Sequence, residues 1–455
     1  MSHYERYAAY RDSGVEWIGE IPEHWEVKRL KYIATCNDES LNENSDPQYE
    51  IKYIDISSVN LSQGITHKEI LPFEKAPSRA RRIVRHGDTI VSTVRTYLKA
   101  IAPIIEPDEN LIVSTGFAVI RSMKFYSYRF LGYFLQTEGF VGQVVANSVG
   151  VSYPAINANE LLQFSVIVPP LEEQQAIASF LDRKTAEIDE LITKKEELLK
   201  KLDEKRTALI TRAVTKGIDP SVPMKESGVE WLGEVPEHWE VTRIKFIFPR
   251  LYSGVSVNSD TFPSEQDSIG VLKTSCVYGN RFSPEENKKV IDEETEKVAC
   301  PVTKDSVIIS RMNTPDLVGS CGYVEFDYPN LFLPDRLWIA RFENHKKMVG
   351  KFVWYLISSD TIVKLTGILA TGTSGSMKNL SQDSFLNIAT AVPPIEEQHT
   401  ITLFLDQTTA TIDRQKTQVT EAIERLKEYR SALITDAVTG KMDVHSIGKK
   451  ESLST

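Results

Sequence analysis

The 455-residue sequence is poor in cysteine, and its four cysteines (Cys36, Cys276, Cys300 and Cys321) are scattered and form no CxxC pair. This argues against a disulfide framework or a zinc site and makes a reducing cytoplasm the expected compartment. No apolar run approaches the roughly 18 residues that a membrane-spanning helix requires. The opening MSHYERYAAYRD lacks the apolar core of a secretory signal. We therefore expect a cytoplasmic protein with no membrane partner.

Motifs that catalysis would need are missing as well. The sequence has no GxxxxGK[ST] phosphate loop, no glycine-rich cofactor loop and no local Ser-His-Asp or Cys-His signature. The Val-Pro-Pro segments at 168–170 and 392–394 lack the asparagine with which amino-methyltransferases hold a target amine. A carboxylate–lysine grouping at 22–28 is too closely spaced for a nuclease site, and its second copy has Thr242 in place of Lys28. We therefore expect no catalytic residue, no metal and no cofactor in this chain.

An excess of basic residues is also missing. Lysine and arginine number 53 against 63 aspartates and glutamates, which gives a formal net charge of −10. This balance argues only mildly against a nucleic-acid partner, because binding depends on local basic patches rather than on net charge. The length suggests about two to four domains, and 41% hydrophobic with 25% charged residues is ordinary for a globular protein.

What the sequence does have is a long internal repeat. DSGVEWIGEIPEHWEVKRLKYI at 12–33 returns as ESGVEWLGEVPEHWEVTRIKFI at 226–247. VPPLEEQQAIASFLD at 168–182 returns as VPPIEEQHTITLFLD at 392–406. Two copies are too few for a solenoid. The repeat therefore predicts two homologous halves related by a pseudo-two-fold axis.

Each half has the same three parts. The first block ends in a basic and apolar stretch, at 29–33 in one copy and 243–247 in the other. A divergent segment of about 130 to 145 residues follows, rich in short β-like runs that Gly, Pro, Asn and Asp punctuate. One amphipathic helix is predicted in it at 128–137, with a counterpart at 351–359. The segment therefore predicts a mixed α+β globule in each half.

A long amphipathic helix follows each globule. A proline pair stops the preceding strand, and two glutamates lie in the first turn, where the helix dipole favours anions. Apolar residues then recur at heptad spacing, which is typical of a coiled coil. The heptad positions are Leu181, Ile188, Leu191, Leu198, Leu202 and Leu209 in the first copy and Leu405, Ile412, Val419, Ala422, Leu426, Tyr429 and Leu433 in the second. We predict that two rods of roughly 60 Å pack antiparallel; the alternative is two independent amphipathic helices, each lying on its own globule.

The repeated tryptophans, Trp17 and Trp25 in one half and Trp231 and Trp239 in the other, have two interpretations. They could stack on bases, or they could anchor the first block to its globule. Packing is favoured, because a buried aromatic side chain contributes a large burial energy. His24 and His238 have no second metal ligand or nucleophile nearby in the sequence, so we interpret both as turn or packing residues.

A basic cluster in the first globule is the best candidate for DNA contact. Residues 77–99 contain one acid, Asp88, and six cations: Arg79, Arg81, Arg82, Arg85, Arg95 and Lys99. Arginine suits both phosphate and the O6/N7 edge of guanine. Helical phase would place residues 79, 82 and 85 on one face, and the alternative is a solvated face without function. The second globule has no equally dense cluster, and its candidates are Lys288, Lys289 and Arg311.

A polar loop of small residues precedes the last strand of each globule. Such loops can offer backbone N–H groups to phosphate oxygens, although they are equally typical of plain turns. The DNA-binding candidates are Asn147, Ser148 and Ser152 in the first loop and Thr373, Ser374, Ser376 and Lys378 in the second.

The order of these parts resembles the specificity subunit of Type I restriction–modification systems. The DSGVEWIGEIPEHWEV opening, the VPPLEEQQAIASFLD helix start and the helix ends TALITRAVTKG and SALITDAVTGK carry the resemblance, in both halves and in the same order. It implies an α+β protein with two mixed α/β target recognition domains separated by two long antiparallel coiled-coil helices. The implied bounds are 1–170 and 217–394 for the recognition domains, 171–216 and 395–444 for the helices, and 445–455 for a tail.

The same resemblance implies a non-catalytic subunit that reads an asymmetric bipartite target in double-stranded DNA. Two methyltransferase subunits would dock on the heptad positions of the long helices and carry S-adenosylmethionine. Restriction subunits, which combine motor and nuclease, would bring ATP and magnesium. Two hypotheses compete with this one. The first is an enzyme in its own right, against which the missing motifs count, and the second is a coiled-coil adaptor that binds proteins but not DNA.

Overall fold

The structure is a computed structural model that describes residues 5–61, 63–248, 250–265, 267–342, 346–374 and 377–445, without the side chains of residues 373 and 374. The chain forms two compact units. Unit 1 comprises Met1–Glu196 and Thr420–Thr455, and unit 2 comprises Glu197–Val419. Both boundaries fall inside the two long helices, so each unit contains the start of one long helix and the end of the other.

Unit 1 is built on two four-stranded sheets. The first is antiparallel throughout and consists, in spatial order, of Ile101–Pro103, Asp88–Ser92, Phe117–Ser122 and Ala34–Cys36. The second has a parallel pair at its centre and consists of Glu69–Pro72, Glu50–Ile54, Leu111–Ser114 and Ala80–Ile83. Two-stranded sheets pair Tyr10–Asp12 with Glu20–Pro22, Glu26–Arg29 with Ser165–Val168, and Val59–Asn60 with Gly64–Ile65. Strands Asp88–Ser92 and Leu111–Ser114 are buried at every position, and the valine, isoleucine and leucine at their centres suit burial on both faces of a sheet.

Short helices cover these sheets and join them to the long helices. They are Tyr128–Leu135, Glu138–Ala146 and Ala158–Leu161. The hydroxyls of Ser127 and Thr137 cap the first two by accepting backbone N–H groups of the first turn. The main core of unit 1 includes Trp25 and Phe134 from the globule, Leu181 from the first long helix and Val438 from the second.

Unit 2 repeats this plan. Its antiparallel sheet consists of Leu251–Ser253, Leu337–Arg341, Ser306–Ser310 and Cys321–Val324. Its mixed sheet consists of Asn287–Lys289, Gly270–Leu272, Tyr328–Phe332 and Pro301–Val302, again with a parallel central pair. Two-stranded sheets pair Met224–Glu226 with Glu234–Pro236 and Glu240–Arg243 with Ala389–Val392. A three-stranded sheet places Met377–Asn379 between Met312–Asn313 and Thr371–Ser374. The helices are Ile244–Ile247, Gly350–Ile357, Asp360–Leu369 and Gln382–Leu386. The prediction of two homologous mixed α/β halves is confirmed.

The two long helices are Leu171–Lys216 and Ile395–Val438. In unit 2, Arg206 Nε lies 3.7 Å from Asp413, and Lys416 of the second helix bonds Asp203 of the first. Because the residue number rises along one helix as it falls along the other, the helices run antiparallel. In unit 1 the equivalent pair is Arg430 with Asp189, at 2.9 Å. The predicted antiparallel arrangement is confirmed, and the alternative of two independent helices is not.

The predicted heptad seam is correct only in part. Leu181, Ile188, Leu202, Leu405, Ile412 and Leu433 are buried, and Leu209, Val419, Ala422 and Leu426 are half-buried. Leu191, Leu198 and Tyr429 are 48%, 43% and 46% exposed, so their assignment to a packed seam is wrong. A strict seven-residue repeat drifts by ~20° per heptad on a straight helix. Ile210, Ile423 and Ile434 take buried positions that the heptad frame does not include, as expected where a helix departs from a strict seven-residue repeat.

The repeated blocks anchor each globule to its long helices. Trp25 is fully buried, its indole N–H donates to Glu173 at 2.9 Å, and His24 Nε2 lies 2.6 Å from the same carboxylate. In unit 2, Trp239 and His238 contact Glu397 in the same way. The packing interpretation of these tryptophans and histidines therefore agrees with the structure.

Further pairs repeat in the same manner. Tyr133 donates its hydroxyl to Asp182 of the first long helix at 2.8 Å, and Tyr355 donates to Asp406 of the second at 2.8 Å. Burial raises the pKa of both tyrosines, so both hydroxyls keep their protons and act as donors. Each globule is thus fixed to the helix that follows it in the chain.

Each globule is also fixed to the end of the other long helix. In unit 1, Lys441 Nζ donates to the carbonyl of Glu20 at 2.6 Å, and the Tyr10 hydroxyl donates to the carbonyl of Gly440 at 2.9 Å. In unit 2, Lys216 Nζ donates in the same way to the carbonyl of Glu234. The first repeated block of each unit therefore lies between the start of one long helix and the end of the other.

Candidate nucleic-acid interface

The strand register of unit 1 divides the arginine-rich segment between two ends of the sheets. The turn at 115–116 donates a backbone hydrogen bond to the carbonyl of Arg79 (2.7 Å) and accepts one from the N–H of residue 93 (2.8 Å). Arg79 and residues 93–99 therefore share the end of the sheets at which this turn lies. Arg85 follows the opposite end of strand Ala80–Ile83 and lies at the far end.

The arginines therefore do not form the helical face that the sequence predicts. Residues 80–83 form an edge strand beside Leu111–Ser114, and neighbouring side chains of a strand point to opposite faces. The prediction that Arg79, Arg82 and Arg85 act together from one helix face is wrong. The sequence RARRIVR at 79–85 matches neither the period of a strand nor that of a helix well, so its spacing does not distinguish the two structures.

Carboxylates neutralise two of these arginines. The Arg79 guanidinium lies 2.7 Å from Asp55 and donates to the Tyr53 hydroxyl at 3.1 Å. Arg85 lies 2.6 Å from Glu39. Both acids come from distant parts of the chain, so a count of local charge could not reveal them.

Arg81 and Arg82 are half-buried. The Arg81 guanidinium lies 4.7 Å from the centre of the Phe73 ring and donates to the Ala80 carbonyl at 3.0 Å. Arg82 Nε is buried and has no hydrogen-bond partner among the described residues. Their side chains pack on the globule, and their assignment to DNA contact stays a prediction.

Arg95 and Lys99 lie in a different setting, because here the basic segment meets the predicted polar loop. Val94 and Ala155 form an isolated antiparallel β-bridge, and the Thr96 hydroxyl donates to the Ser148 hydroxyl at 2.8 Å. The Arg95 guanidinium lies 5.0 Å from the centre of the Tyr153 ring. We call residues 95–99 and 147–153 the unit 1 loop surface.

The unit 1 loop surface is cationic and unusually apolar for exposed chain. Its exposed apolar side chains are Val151 (102%), Val149 (80%), Tyr153 (66%), Tyr97 (52%) and Leu98 (40%). In the described part of the chain neither Arg95 nor Lys99 forms an ion pair. Cations beside exposed aromatic rings are typical of surfaces that bind nucleic acid.

Backbone strain brackets the same surface. Arg95 and Lys99 have φ values of 52° and 51°, in the left-handed region that side chains other than glycine rarely adopt, and the 3-10 turn Thr96–Leu98 lies between them. Such strain costs on the order of 1–3 kcal/mol per residue and persists where surrounding structure enforces it, often at functional sites. The strain therefore marks this loop as a candidate for function.

The polar loop residues themselves are less available than the sequence suggests. Asn147 Nδ2 donates to the Gln143 carbonyl at 2.9 Å, and the Ser148 hydroxyl donates to the Val144 carbonyl at 2.7 Å. Ser152 is exposed. Sequence reasoning missed Tyr97, Val149, Val151 and Tyr153. The aromatic residue between two cations in VRTYLK is a signal that could have found Tyr97, and the apolar residues within the polar loop SVGVSYP could have drawn attention to the other three.

Unit 2 has a matching surface. Strand Met312–Asn313 pairs with strand Met377–Asn379, so Lys378 lies opposite Asn313, and the Arg311 carbonyl accepts from the N–H of Leu380 at 2.8 Å. We call residues 311–316, 371–372 and 377–379 the unit 2 loop surface. Arg311 is half-buried and its Nε, like that of Arg82, has no partner among the described residues.

The remaining unit 2 candidates are not part of this surface. Lys288 and Lys289 are half-buried on the edge strand Asn287–Lys289, and no strand pairing or hydrogen bond of the described residues joins them to the unit 2 loop surface. Ser376 and the side chains of Thr373 and Ser374 lie outside the described residues, so their predicted role is not tested.

Comparison with known proteins identifies the family. Residues 22–201 and 236–425 each match the Type I restriction modification DNA specificity domain. The chain belongs to this family. It is a non-catalytic DNA-specificity subunit, and the competing hypothesis of an adaptor that does not bind DNA has no support.

Relatives and solved structures agree with this membership. The chain is 24% identical over 446 residues to the type I restriction enzyme MjaVIII specificity subunit of Methanocaldococcus jannaschii, covering 94% of this chain and 95% of that one. It is 23% identical over 330 residues to the EcoKI specificity subunit of Escherichia coli, covering 71% and 68%. A chain solved in work on complex assembly and conformational transition of the type I R-M system shares the fold, with a TM-score of 0.70, 22% identity and coverage of 92% and 98%. The HsdS subunit of Thermoanaerobacter tengcongensis aligns at a TM-score of 0.51 with 22% identity over 93% of this chain and 98% of that one.

The described residues contain no group of three or more histidines, cysteines, aspartates or glutamates that could hold a metal ion. They also contain no single helix long and apolar enough to cross a membrane, although the bent pair Gly350–Ile357 and Asp360–Leu369 has the required length and composition.

Proposed function

We propose that each unit reads one part of a two-part DNA target through its loop surface. The observation that carries this proposal is the setting of Arg95, a cation that forms no ion pair with the described residues, lies over the Tyr153 ring and is held in a strained backbone. Arginine can bind the O6/N7 edge of guanine with two hydrogen bonds, and apolar side chains such as Val149 can contact the thymine methyl group. The unit 1 loop surface offers both kinds of contact.

The two loop surfaces carry different side chains at equivalent places. Residues 95–99 read RTYLK, whereas the equivalent stretch after strand Ser306–Ser310 is half-buried at Arg311 and continues as MNTPDL. Different side chains present different donors, acceptors and methyl contacts to base edges. The two parts of the target therefore differ, and the target is asymmetric.

The chemistry that follows recognition belongs to partner subunits in this proposal. Two methyltransferase subunits, with S-adenosylmethionine, modify the target, and restriction subunits, with ATP and magnesium, cleave DNA. The resemblance of the repeated blocks and the family membership support these partners, and so does the lack of catalytic motifs in this chain. The domain bounds 1–170, 171–216, 217–394 and 395–444 belong to the same proposal.

The test compares two exposed arginines of unit 1 in the assembled complex. Arg95→Ala should weaken binding of the target duplex by about 1–3 kcal/mol, roughly 5- to 150-fold, and relax one base position. Arg85→Ala is the matched control, because Arg85 is also exposed but is paired with Glu39 at the far end. Affinity by fluorescence anisotropy at fixed salt and the methylated motif by sequencing are the two readouts. Wild-type affinity and motif for Arg95→Ala would remove this residue from the interface, and a larger loss for Arg85→Ala would place the interface at the far end.

A further inference from the structure

Most of the residues that the two halves repeat have an internal role. The repeated tryptophan and histidine bind the repeated glutamate, and the repeated tyrosine donates its hydroxyl to the repeated aspartate. The lysine at the end of each long helix donates to a carbonyl of the first block. Another repeated feature takes part in none of these contacts. It is the lysine–aromatic pair within the basic and apolar stretch, Lys31–Tyr32 in unit 1 and Lys245–Phe246 in unit 2.

The aromatic rings of both pairs face solvent. Tyr32 is 61% exposed and Phe246 is 70% exposed. The neighbouring lysine lies over each ring, with Nζ 5.2 Å from the centre of the Tyr32 ring and 5.0 Å from that of Phe246. The same side-chain types thus adopt the same arrangement in both units.

Buried neighbours hold each pair in place. Leu30 and Ile33 flank Lys31–Tyr32 and are 0% and 3% exposed, and Ile244 and Ile247 flank the unit 2 pair with the same values. The N–H of Leu30 donates to the Phe164 carbonyl at 2.9 Å, and the N–H of Ile244 donates to the Ile388 carbonyl at 2.9 Å. The rings are therefore presented from fixed backbone rather than from a free loop.

A third repeated cation adjoins each pair. Arg29 donates to Gln163 Oε1 at 2.9 Å, and Arg243 donates to Asn387 Oδ1 at 3.1 Å. Both arginines are exposed and each binds a neutral amide rather than a carboxylate, so its charge is not cancelled. We call Arg29, Lys31 and Tyr32 the unit 1 patch, and Arg243, Lys245 and Phe246 the unit 2 patch.

The unit 1 patch lies at the end of the globule opposite the unit 1 loop surface. Strand Ala34–Cys36 follows the patch, and Ala34 pairs with Ser122 at the end of strand Phe117–Ser122 that is farther from the turn at 115–116. The N–H of Met123 then donates to the Ile33 carbonyl at 2.9 Å. Phe125, 74% exposed, lies two residues beyond and extends the apolar surface.

A large aromatic side chain in water gives up the burial energy that it could gain, and this happens at the same place in both halves. A DNA-reading role would favour divergence, since the two loop surfaces themselves have diverged. A surface kept in duplicate fits a partner present in duplicate. Aromatic and arginine side chains are also the types enriched at the centres of protein interfaces.

We infer that the two patches are equivalent docking points for two copies of one protein subunit. Each copy of that subunit receives the aromatic ring of one patch in an apolar pocket with an acidic rim. This inference rests on the proposed function, in which two methyltransferase subunits join the chain, and it assigns one patch to each of them.

The experiment measures how many methyltransferase subunits of the same system bind the full-length chain, by native mass spectrometry and by sedimentation. Tyr32→Ala and Phe246→Ala should each weaken one copy by about tenfold or more, so each single variant retains one tightly bound copy and the double variant binds both copies weakly. Phe262→Ala is the matched control, because Phe262 is 54% exposed and has no repeated counterpart. Lys31→Glu and Lys245→Glu keep the rings and should weaken the same copies by charge repulsion.

The outcomes are distinct. Loss of one copy per single variant, with two copies retained by Phe262→Ala, supports the inference. Two copies bound at wild-type affinity in the double variant overturn it. Unchanged copy number with weaker duplex binding would also overturn it, by assigning the patches to DNA, while leaving the proposed function intact. If the wild-type complex bound no DNA, the proposed function would fail, and the copy-number result would still decide the inference.

Discussion

Glu173 should contribute far more to the stability of unit 1 than its neighbour Glu172, although both lie in the first turn of the first long helix. The Glu173 carboxylate accepts from three donors: the Trp25 indole at 2.9 Å, His24 Nε2 at 2.6 Å and the Tyr7 hydroxyl at 3.2 Å. Its side chain is only 15% exposed, whereas Glu172 is exposed. Removal of Glu173 leaves a fully buried indole N–H without an acceptor.

The magnitude follows from that orphaned donor. A buried unpaired donor costs about 1–3 kcal/mol, and a hydrogen bond to a charged group contributes about 1.5–3 kcal/mol. Since His24 and Tyr7 can turn to water, we expect Glu173→Ala to lower the free energy of unfolding by about 2–4 kcal/mol. For a unit of this size each kcal/mol moves Tm by about 2–4 °C, so the expected drop is roughly 5–15 °C.

Thermal and urea unfolding followed by tryptophan fluorescence measure this change. Glu172→Ala is the control, and it loses only a favourable helix-dipole contact of about 0.3–1 kcal/mol. Glu397→Ala should affect unit 2 in the same way, because Glu397 holds Trp239 and His238. Equal effects of Glu172→Ala and Glu173→Ala would refute the reasoning.

Two further predictions follow from single contacts. Within helix Glu138–Ala146, Gly139→Ala places a Cβ 1.9 Å from the Trp17 ring and should lower the free energy of unfolding by about 1–3 kcal/mol. Gly142→Ala meets no atom within 4 Å and should raise the free energy of unfolding by about 0.5–1 kcal/mol. Changes of the same sign for both variants in urea unfolding would contradict this. Hydrogen bonds from Arg85 and Arg121 hold the pKa of Glu39 below its usual range, so its stabilising effect is present above the unfolded pKa of about 4.3 and is lost as pH falls through the lower folded pKa. Unfolding midpoints measured from pH 6 to pH 3 should therefore fall less steeply for Glu39→Gln than for the wild type, and parallel curves would show that these bonds contribute nothing.

The sequence predicted the architecture well because the repeated blocks are the packing surfaces themselves. Trp25 and Glu173 lie in different blocks, and both blocks repeat because each needs the other. The heptad pattern likewise predicted two long helices. It failed at Leu191 and Leu198, which are exposed, because apolar spacing alone does not show which heptad positions meet a partner surface.

The candidate site was less predictable, because its properties depend on contacts between distant residues. Local sequence shows six cations and one acid at 77–99, yet Asp55 and Glu39 neutralise Arg79 and Arg85 from outside that window. Only the fold brings Arg95 against Tyr153. Residue types therefore indicated the segment, and tertiary contacts decided which of its cations stay available.

The contacts at the end of the second long helix have a consequence for chain connectivity. In unit 1 the chain's last described turn reaches its beginning: the N–H of Asp443 donates to the Glu5 carbonyl at 2.8 Å, close to the Lys441–Glu20 bond. In unit 2 the same junction is covalent, since Lys216 leads through residues 217–223 into strand Met224–Glu226. The same junction between a long-helix end and a first block is thus closed by hydrogen bonds in unit 1 and by the covalent chain in unit 2, so a cut within 217–223 should leave Lys216 bound to Glu234 just as Lys441 is bound to Glu20.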